Sequence, residues 1–435
     1  MIKQFTLGLW AVLGTASLLV QNAAAEDIYL WDDDNAAELA DSTSAWQTTG
    51  FIEAGIGSFT RNNALDKTAS LMELRGQFGA NRYLGPHFVN LKIEGLADDL
   101  DDDQWQIKVR ELYADLKLSD NLNIRAGQQV LTWGTGDYLF LNDFFAKDWQ
   151  SMLSGREDSY LKASQAAIRL NWYTPLANVN AVWTPVFAED EIISGERFVY
   201  FNPMAGGVVS EPRINARKPD KKLNNGQFAL RLAKTIDGVE YALYGYHGFH
   251  TQPQGFDPIA GLNIYPRLNS FGSSIRRPLW GGIANAEVAY WNYLDEHDGT
   301  NPLVPNDQWN MLLGYEREIA TNLTLGGQWM IQKMQNYDNT YAATPNPAHL
   351  PDEWHHTLTT RLTWTAMQQK LNLSLFAFYS PDSEDFYLKP KMSYRQNDHW
   401  QYELGANIFG GKHQHTQWGQ FKDNSNIYAR ARYNF

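Results

Sequence analysis

Apolar and polar side chains alternate along most of the chain from residue 46 onward, in short runs separated by turn-forming residues. In a strand, alternate side chains point to opposite faces, so this two-residue rhythm predicts half-apolar strands. Phe386, Leu388, Met392 and Tyr394 oppose Lys389, Lys391 and Arg395, and Trp400, Tyr402, Leu404, Ala406 and Ile408 oppose Gln401, Glu403 and Asn407. Met72, Leu74 and Phe78 oppose Glu73, Arg75 and Gln77, while Phe228, Leu230 and Leu232 oppose Gln227 and Arg231. In the last run, Ile427, Ala429, Ala431, Tyr433 and Phe435 oppose Tyr428, Arg430, Arg432 and Asn434. The pattern predicts strands at 46–60, 68–80, 86–97, 104–118, 121–133, 160–175, 178–187, 224–235, 239–250, 266–277, 282–294, 308–319, 322–335, 355–366, 370–379, 385–396, 399–410 and 424–435. The count is about 18, with 16 as the lower bound.

The connections alternate between short and long. Ser119-Asp120-Asn121, Pro175-Leu176-Ala177, Ile236-Asp237-Gly238 and Gln396-Asn397-Asp398 are tight and fall on one side. Residues 98–103, 134–159, 188–223, 251–265, 295–307, 336–354 and 411–423 are longer and fall on the other. Short periplasmic turns and long external loops characterise transmembrane barrels, and soluble sheets have no reason to sort their loops this way. Asp237-Gly238 carries the strongest hairpin signal, since both positions of that turn need positive φ. The charges agree, because an outward Lys or Arg at the bilayer midplane costs roughly 2–4 kcal/mol. Three places strain the rule. Parity changes between Trp105, Ile107, Val109 and Leu112, Ala114, Leu116, which requires a bulge near Arg110-Glu111. Arg317 falls outward near a strand end, and the register around Arg276 and Arg277 stays open. The expected fold is therefore all-β: a transmembrane antiparallel β-barrel over 46–435.

Lys3, an apolar core from Phe5 to Val20 and Ala23-Ala24-Ala25 before Glu26 read as a secretory signal peptide over 1–25, leaving 26–45 as a short periplasmic segment. No later apolar run approaches the length of a membrane-spanning helix. The absence of cysteine removes disulfides, thiolate metal sites and a thiol nucleophile. A mean hydropathy of -0.45 looks soluble, as it does when only half of each strand meets lipid. The 16 Trp, 22 Tyr and 21 Phe favour a membrane–water boundary, although a secreted β-sandwich or carbohydrate-binding protein can share that richness. A net charge of -13 argues against nucleic acid as a partner.

In this register the lumen receives Arg75, Lys92, Lys108, Arg110, Lys117, Arg125, Arg169, Arg231, Arg361, Lys389, Lys391, Arg395, Arg430 and Arg432. The inward acids are Glu53, Glu73, Glu94, Glu111, Asp115, Glu240, Glu287, Glu316 and Glu403, so the wall is mildly basic. Such a lining concentrates anions in a water-filled pore. The candidate lumen and constriction residues are Arg125, Arg169, Arg231, Arg361, Lys391, Arg395, Arg430 and Arg432. The competing reading is that these charges pair across neighbouring strands and only hydrate the wall.

Residues 134–160 are too apolar for a solvent loop, with Tyr138, Phe140, Phe144, Phe145 and Trp149 among them. They need a surface to pack on. The expectation is that the loop folds inward and sets access through Phe144, Phe145 and Trp149; a cap over the mouth or a hydrophobic-ligand site is the alternative. Residues 188–223, rich in Pro, Gly and basic side chains, read as a longer, more mobile lid. Asp98 to Asp103 and Asp32-Asp33-Asp34 match no calcium-loop spacing and read as solvated acidic stretches. His355-His356 and His413 with His415 read as loop residues with too few ligands for a metal. No metal, cofactor or catalytic residue is expected, since no nucleophile-elbow or metalloprotease motif occurs. An outer-membrane hydrolase with a rim active site, and a plugged adhesive barrel, remain as alternatives from other classes.

The stretches Arg110-Glu111-Leu112-Tyr113-Ala114-Asp115 and Ile124 to Gly134, continued by Asp137, Asn142-Asp143 and Ala181 to Phe187, resemble alginate-export-type outer-membrane porins and related proteobacterial barrels. A last strand ending in Phe435 resembles the signal by which such barrels meet their assembly machinery. The resemblance implies an eighteen-stranded monomer among outer-membrane lipid and lipopolysaccharide of a Gram-negative bacterium. In the alginate exporter it implies a cationic conduit for an anionic polysaccharide, a substrate that does not transfer here; the basic wall predicts passive passage of a small or polymeric, anionic solute. A conduit for hydrophobic molecules is the alternative within transport.

Overall fold

The structure, a computed structural model, describes residues 45–100 and 104–435. The expected signal peptide, all but the last residue of the expected periplasmic segment, Asp32 to Asp34 and Asp101 to Asp103 lie outside the described residues.

One 18-stranded sheet closes on itself. Its strands are β1 (Gln47–Phe59), β2 (Ala69–Leu84), β3 (His87–Asp98), β4 (Trp105–Ser119), β5 (Leu122–Val130), β6 (Ser164–Tyr173), β7 (Asn178–Thr184), β8 (Gln227–Ile236) and β9 (Val239–Phe249). They continue as β10 (Arg267–Leu279), β11 (Gly282–Tyr293), β12 (Gln308–Ala320), β13 (Leu323–Met334), β14 (Trp354–Ala366), β15 (Leu371–Ser380), β16 (Asp385–Arg395), β17 (Trp400–Gly411) and β18 (Asn426–Asn434). Each pairs antiparallel with the next. β18 returns to β1, with Phe51 opposite Asn434 and Phe59 opposite Asn426. Gly50 and Phe435 exchange backbone hydrogen bonds of 3.0 and 2.9 Å at the foot of this seam. A side chain at Gly50 would collide with the Phe435 ring, 2.7 Å away.

Closure leaves no open edge, which a sheet in hydrocarbon requires. The outer surface is apolar: Met311, Leu313, Leu358, Leu404, Ile408 and Ile427 are all exposed there. Trp172, Trp280, Trp364 and Trp400 ring the short-turn end and Trp105, Trp309, Trp354 and Tyr379 the other, as aromatic girdles do at the two interfaces. At the β8–β9 turn Asp237 and Gly238 have φ of 50° and 76°, the paired left-handed conformation expected of Asp-Gly.

The bulge falls where the parity change placed it. Lys92 pairs with Glu111 and Ile93 with Val109, so Arg110 is the extra residue. Both halves of β4 thereby keep apolar side chains on the lipid face. On β10, Arg276 shares parity with buried Leu268, Ser270 and Ser274, whereas Arg277 shares it with exposed Phe271. Arg317 is exposed beyond Leu313 on the outer face, toward the periplasmic end.

Four expectations need correction. The strand expected over 121–133 stops at Val130, because Thr132 and the Trp133 backbone turn inward to Asp143. The strand expected over 160–175 begins at Ser164, because Asp158–Leu161 is a 3-10 turn. His355 and His356 lie within β14, not in a loop. The 188–223 segment is anchored rather than free: Phe198 packs edge-on to Phe59, and Val199 and Asn424 exchange hydrogen bonds of 3.0 and 2.8 Å.

Candidate functional site

The segment 131–163 between β5 and β6 folds into the barrel. Its partners are lumen-facing groups on strands all round the ring, and a chain segment can touch them together only by crossing the lumen. On β11, Glu287 accepts from Thr135 N (2.7 Å), Thr135 Oγ1 (2.9 Å) and Asn142 Nδ2 (2.9 Å), and Trp291 Nε1 donates to Leu141 O at 2.9 Å. Gln328 on β13 accepts from Asp137 N at 3.1 Å. Asn407 on β17 donates to Leu153 O at 2.8 Å. Arg110, turned inward by the bulge, donates to Ser159 O at 2.9 Å and stacks 4.2 Å from the Tyr160 ring. At the centre is the short helix α1 (Trp149–Leu153), capped by Asp148, which accepts from Ser151 N at 2.7 Å. Its exit is Gly155, with φ of 70°, where a Cβ would lie 2.2 Å from the Tyr428 ring.

The aromatics of this segment find the surface they need. Phe144 stacks on Tyr246 at 4.6 Å and meets Trp291 at 5.2 Å; Phe145 meets Trp133 at 4.9 Å. Tyr138 stands edge-on to Phe376 at 4.6 Å, in a buried cluster with Phe378, Tyr387, Phe409 and Trp418. Each such ring pair contributes about 0.5–1.5 kcal/mol beyond its buried area. The Trp149 indole donates to Asp190 of the next long loop at 2.7 Å, tying the two loops together. Burial pushes the Asp190 carboxyl up, and it lowers His250, packed against Phe144 and Trp291, to about 4.

At the β1–β18 seam lies a buried ion network. Glu53 accepts from Arg75 at 2.6 Å, Arg430 at 2.9 Å and Arg432 at 2.8 Å. Glu73 accepts from Arg430 at 2.6 Å and from Arg156 of the segment at 2.9 Å. Arg430 also donates to Gly155 O and Ser154 O, both at 3.1 Å, and Arg432 reaches Glu157 at 2.9 Å. A small cleft beside it is lined by Glu53, Glu157, Gln401, Glu403, Arg430 and Arg432.

The candidate wall residues fall into two levels. Toward the periplasm, Arg125 is held by Asp115 at 3.0 and 2.7 Å, directly across from Arg169, which lies 3.1 Å from Asn171. Arg231 pairs with Glu240 at 2.8 Å, Lys391 lies 3.8 Å from Glu403, and Arg395 is exposed at the end of β16. At the segment's level, Arg361 meets Asp137 at 3.0 Å, and Arg430 and Arg432 converge on Glu53. Phe144 and Phe145 are buried against the wall and Trp149 is half-buried. The pairing is thus extensive, both across strands and to the segment. Arg156, Glu157 and Asp158 are not among the residues the sequence points to, and Asp137 enters there only through the resemblance; charges inside an otherwise apolar loop are the available signal. His349 joins His413 and His415, with ring centroids 4.5 and 5.4 Å apart. Among the described residues, however, no three side chains are placed to hold a metal ion.

No curated protein matches the chain at significant similarity. Among solved structures, the barrel is similar to OccAB3 of Acinetobacter baumannii (9% identity, 90% of this chain and 100% of that one, TM-score 0.53). It is also similar to OccAB4 of Acinetobacter baumannii (10% identity, 91% and 98%, TM-score 0.53). A third is OccD3 (OpdP) of Pseudomonas aeruginosa (11% identity, 90% of each chain, TM-score 0.51). At these identities the likeness shows a shared fold, that of a large porin-like barrel. The family model matching residues 61–435 is described as a protein of unknown function (DUF1302), and it is not that of the alginate-export-type porins. With a closed sheet, an apolar outer band and a match over most of its length, the chain belongs to this DUF1302 family and is an outer-membrane β-barrel of a Gram-negative bacterium.

Proposed function

We propose that the protein is a passive outer-membrane channel whose docked segment 131–163 sets access and whose basic wall residues favour anions. One observation carries this reading: the segment meets lumen-facing groups all round the ring at one level, while a second level of wall charges lines the lumen below it. Arg125, Arg169, Arg231, Arg361, Lys391, Arg395, Arg430 and Arg432 would bias passage toward negative charge. The basic side chains of the wall support a small or polymeric, anionic solute. We read the working unit as a monomer, and the Phe435-ended strand as its address for the assembly machinery. Single-channel recording tests the proposal. Replacing 136–159 by a short Gly-Ser linker is expected to raise conductance several-fold, with a reversal potential showing anion preference. A linker variant that folds yet passes no current would overturn it.

The aromatic cluster of Tyr138, Phe376, Phe378, Tyr387 and Phe409 favours a second reading, a conduit for hydrophobic molecules. Uptake of a hydrophobic dye by vesicles carrying the protein, with no ion current, would select it.

A further inference from the structure

Two kinds of ion pair surround segment 131–163. Arg156–Glu73 ties the segment to β2, Lys147–Asp143 lies within the segment and Arg430–Glu73 within the wall; all three are sealed, with every side chain less than a tenth exposed. In a second set the segment's carboxylate faces water. Arg361 Nε lies 3.0 Å from Asp137 Oδ2, with the two side chains 30% and 38% exposed. Lys389 Nζ, on a buried side chain (4% exposed), lies 2.7 Å from Asp158 Oδ1, whose side chain is 37% exposed, and Arg361 Nη1 lies 4.0 Å from its other oxygen. Arg432 Nη1, on a side chain 11% exposed, lies 2.9 Å from Glu157 Oε2, 30% exposed. In every member of this second set the rigid wall supplies the cation and the segment supplies the carboxylate.

We propose that Arg361 with Lys389, and Arg432, are two carboxylate-binding positions of the transport path, filled at rest by the protein's own Asp137, Asp158 and Glu157. A solute with two or more carboxylates enters by displacing them. This rests on the channel reading above. The exchange is chemically matched: one carboxylate replaces another, so no cation is left bare and the charge of the site does not change. A neutral solute or a lone chloride offers no equivalent, because leaving a carboxylate and a guanidinium apart in a partly dehydrated site is unfavourable. The geometry suits exchange. Glu157 and Asp158 are successive residues at the start of the Asp158–Leu161 turn, reaching toward β18 and β16, so a shift of this turn frees both positions. The guanidinium of Arg361 engages Asp137 through Nε alone, short of the two-point grip it can give a carboxylate. Tyr138, whose hydroxyl accepts from Lys389 at 3.2 Å, keeps that ammonium oriented when Asp158 leaves. The sealed Arg156–Glu73 pair and the hydrogen bonds of Thr135, Asn142 and Leu141 to β11 keep the rest of the segment docked, so opening is local.

The experiment is bilayer recording in chloride with and without millimolar citrate at matched ionic strength, and with glucose as a neutral solute. Wild type is expected to conduct weakly in chloride and several-fold more with citrate, and to ignore glucose. The D137N/D158N variant is expected to conduct in chloride at the citrate-raised level. Citrate should now reduce that current by occupying the vacated cations. Wild-type conductance in D137N/D158N, or an undiminished rise with citrate in it, would overturn the inference. The 136–159 linker variant separates the two failures. If it conducts while citrate and D137N/D158N change nothing, only the inference fails; if it too is silent, the channel reading fails with it. Heat-modifiable migration on gels confirms that each variant is a folded barrel.

Discussion

Glu73 shows what a single side chain does in this lumen. Its carboxylate, with no exposed surface, meets Arg156 of the inward segment and Arg430 of the last strand. Replacing it with Gln leaves two buried guanidinium groups short of charge, a change that destabilises by roughly 3–5 kcal/mol where one partner of a buried pair is lost. Glu73→Gln is expected to lower the melting temperature of the detergent-folded barrel and open the segment to trypsin at Arg156. Lys108→Ala breaks a pair with Glu191 whose side chains are both nearly half exposed, and is expected to shift stability by less than about 1 kcal/mol. Equal shifts for the two variants would refute this division. His250 makes a pH prediction. Burial lowers it from 6.5 to about 4, so below 6.5 an undocked loop takes up a proton that the docked loop refuses. Docking is therefore complete above 6.5 and weakens as pH falls toward 4. Tryptophan fluorescence, sensitive to Trp291 beside His250, should change between pH 7.5 and 5 in wild type and stay flat in His250→Phe.

At the scale of elements, alternation made the strands legible and its lapses marked their irregularities. The bulge at Arg110 was visible because Val109 and Leu112 both needed the lipid face. Deleting Arg110 would turn Trp105, Ile107 and Val109 into the lumen and Lys108 outward, and it removes the donor to Ser159. We expect a lower yield of folded barrel in vesicles and a looser segment, read by proteolysis. β10 was illegible because Gly272, Ser273 and Ser274 fit either face, so only pairing with β9 and β11 sets Arg276 inward. The inward course of 131–163 followed from its aromatics. Its docking partners did not, because Glu287, Trp291 and Asn407 lie far along the chain and alternation says only that they face inward. The site was legible in residue type and not in pairing, since Arg430 meets Glu53 only through closure.

The whole molecule depends on that closure. Phe435 completes the seam through two hydrogen bonds to Gly50 and a ring laid over its Cα. Removing Phe435 is expected to slow refolding into vesicles only modestly, while sharply lowering the amount reaching the outer membrane in cells. Equal losses in both settings would make the terminal ring a structural part and refute the role as an address proposed above.

The seam network has a further consequence for the order of events during biogenesis. Arg156 is translated in the first half of the chain, yet the Glu73–Arg430 surface on which it rests exists only after the final hairpin has met the first. The contacts of Arg430 with Glu53, Glu73 and the Ser154 and Gly155 carbonyls therefore require the closed ring, whereas those of the segment with β11 and β13 do not. The last anchor of the inner segment and the last seam of the wall are thus completed by one and the same event.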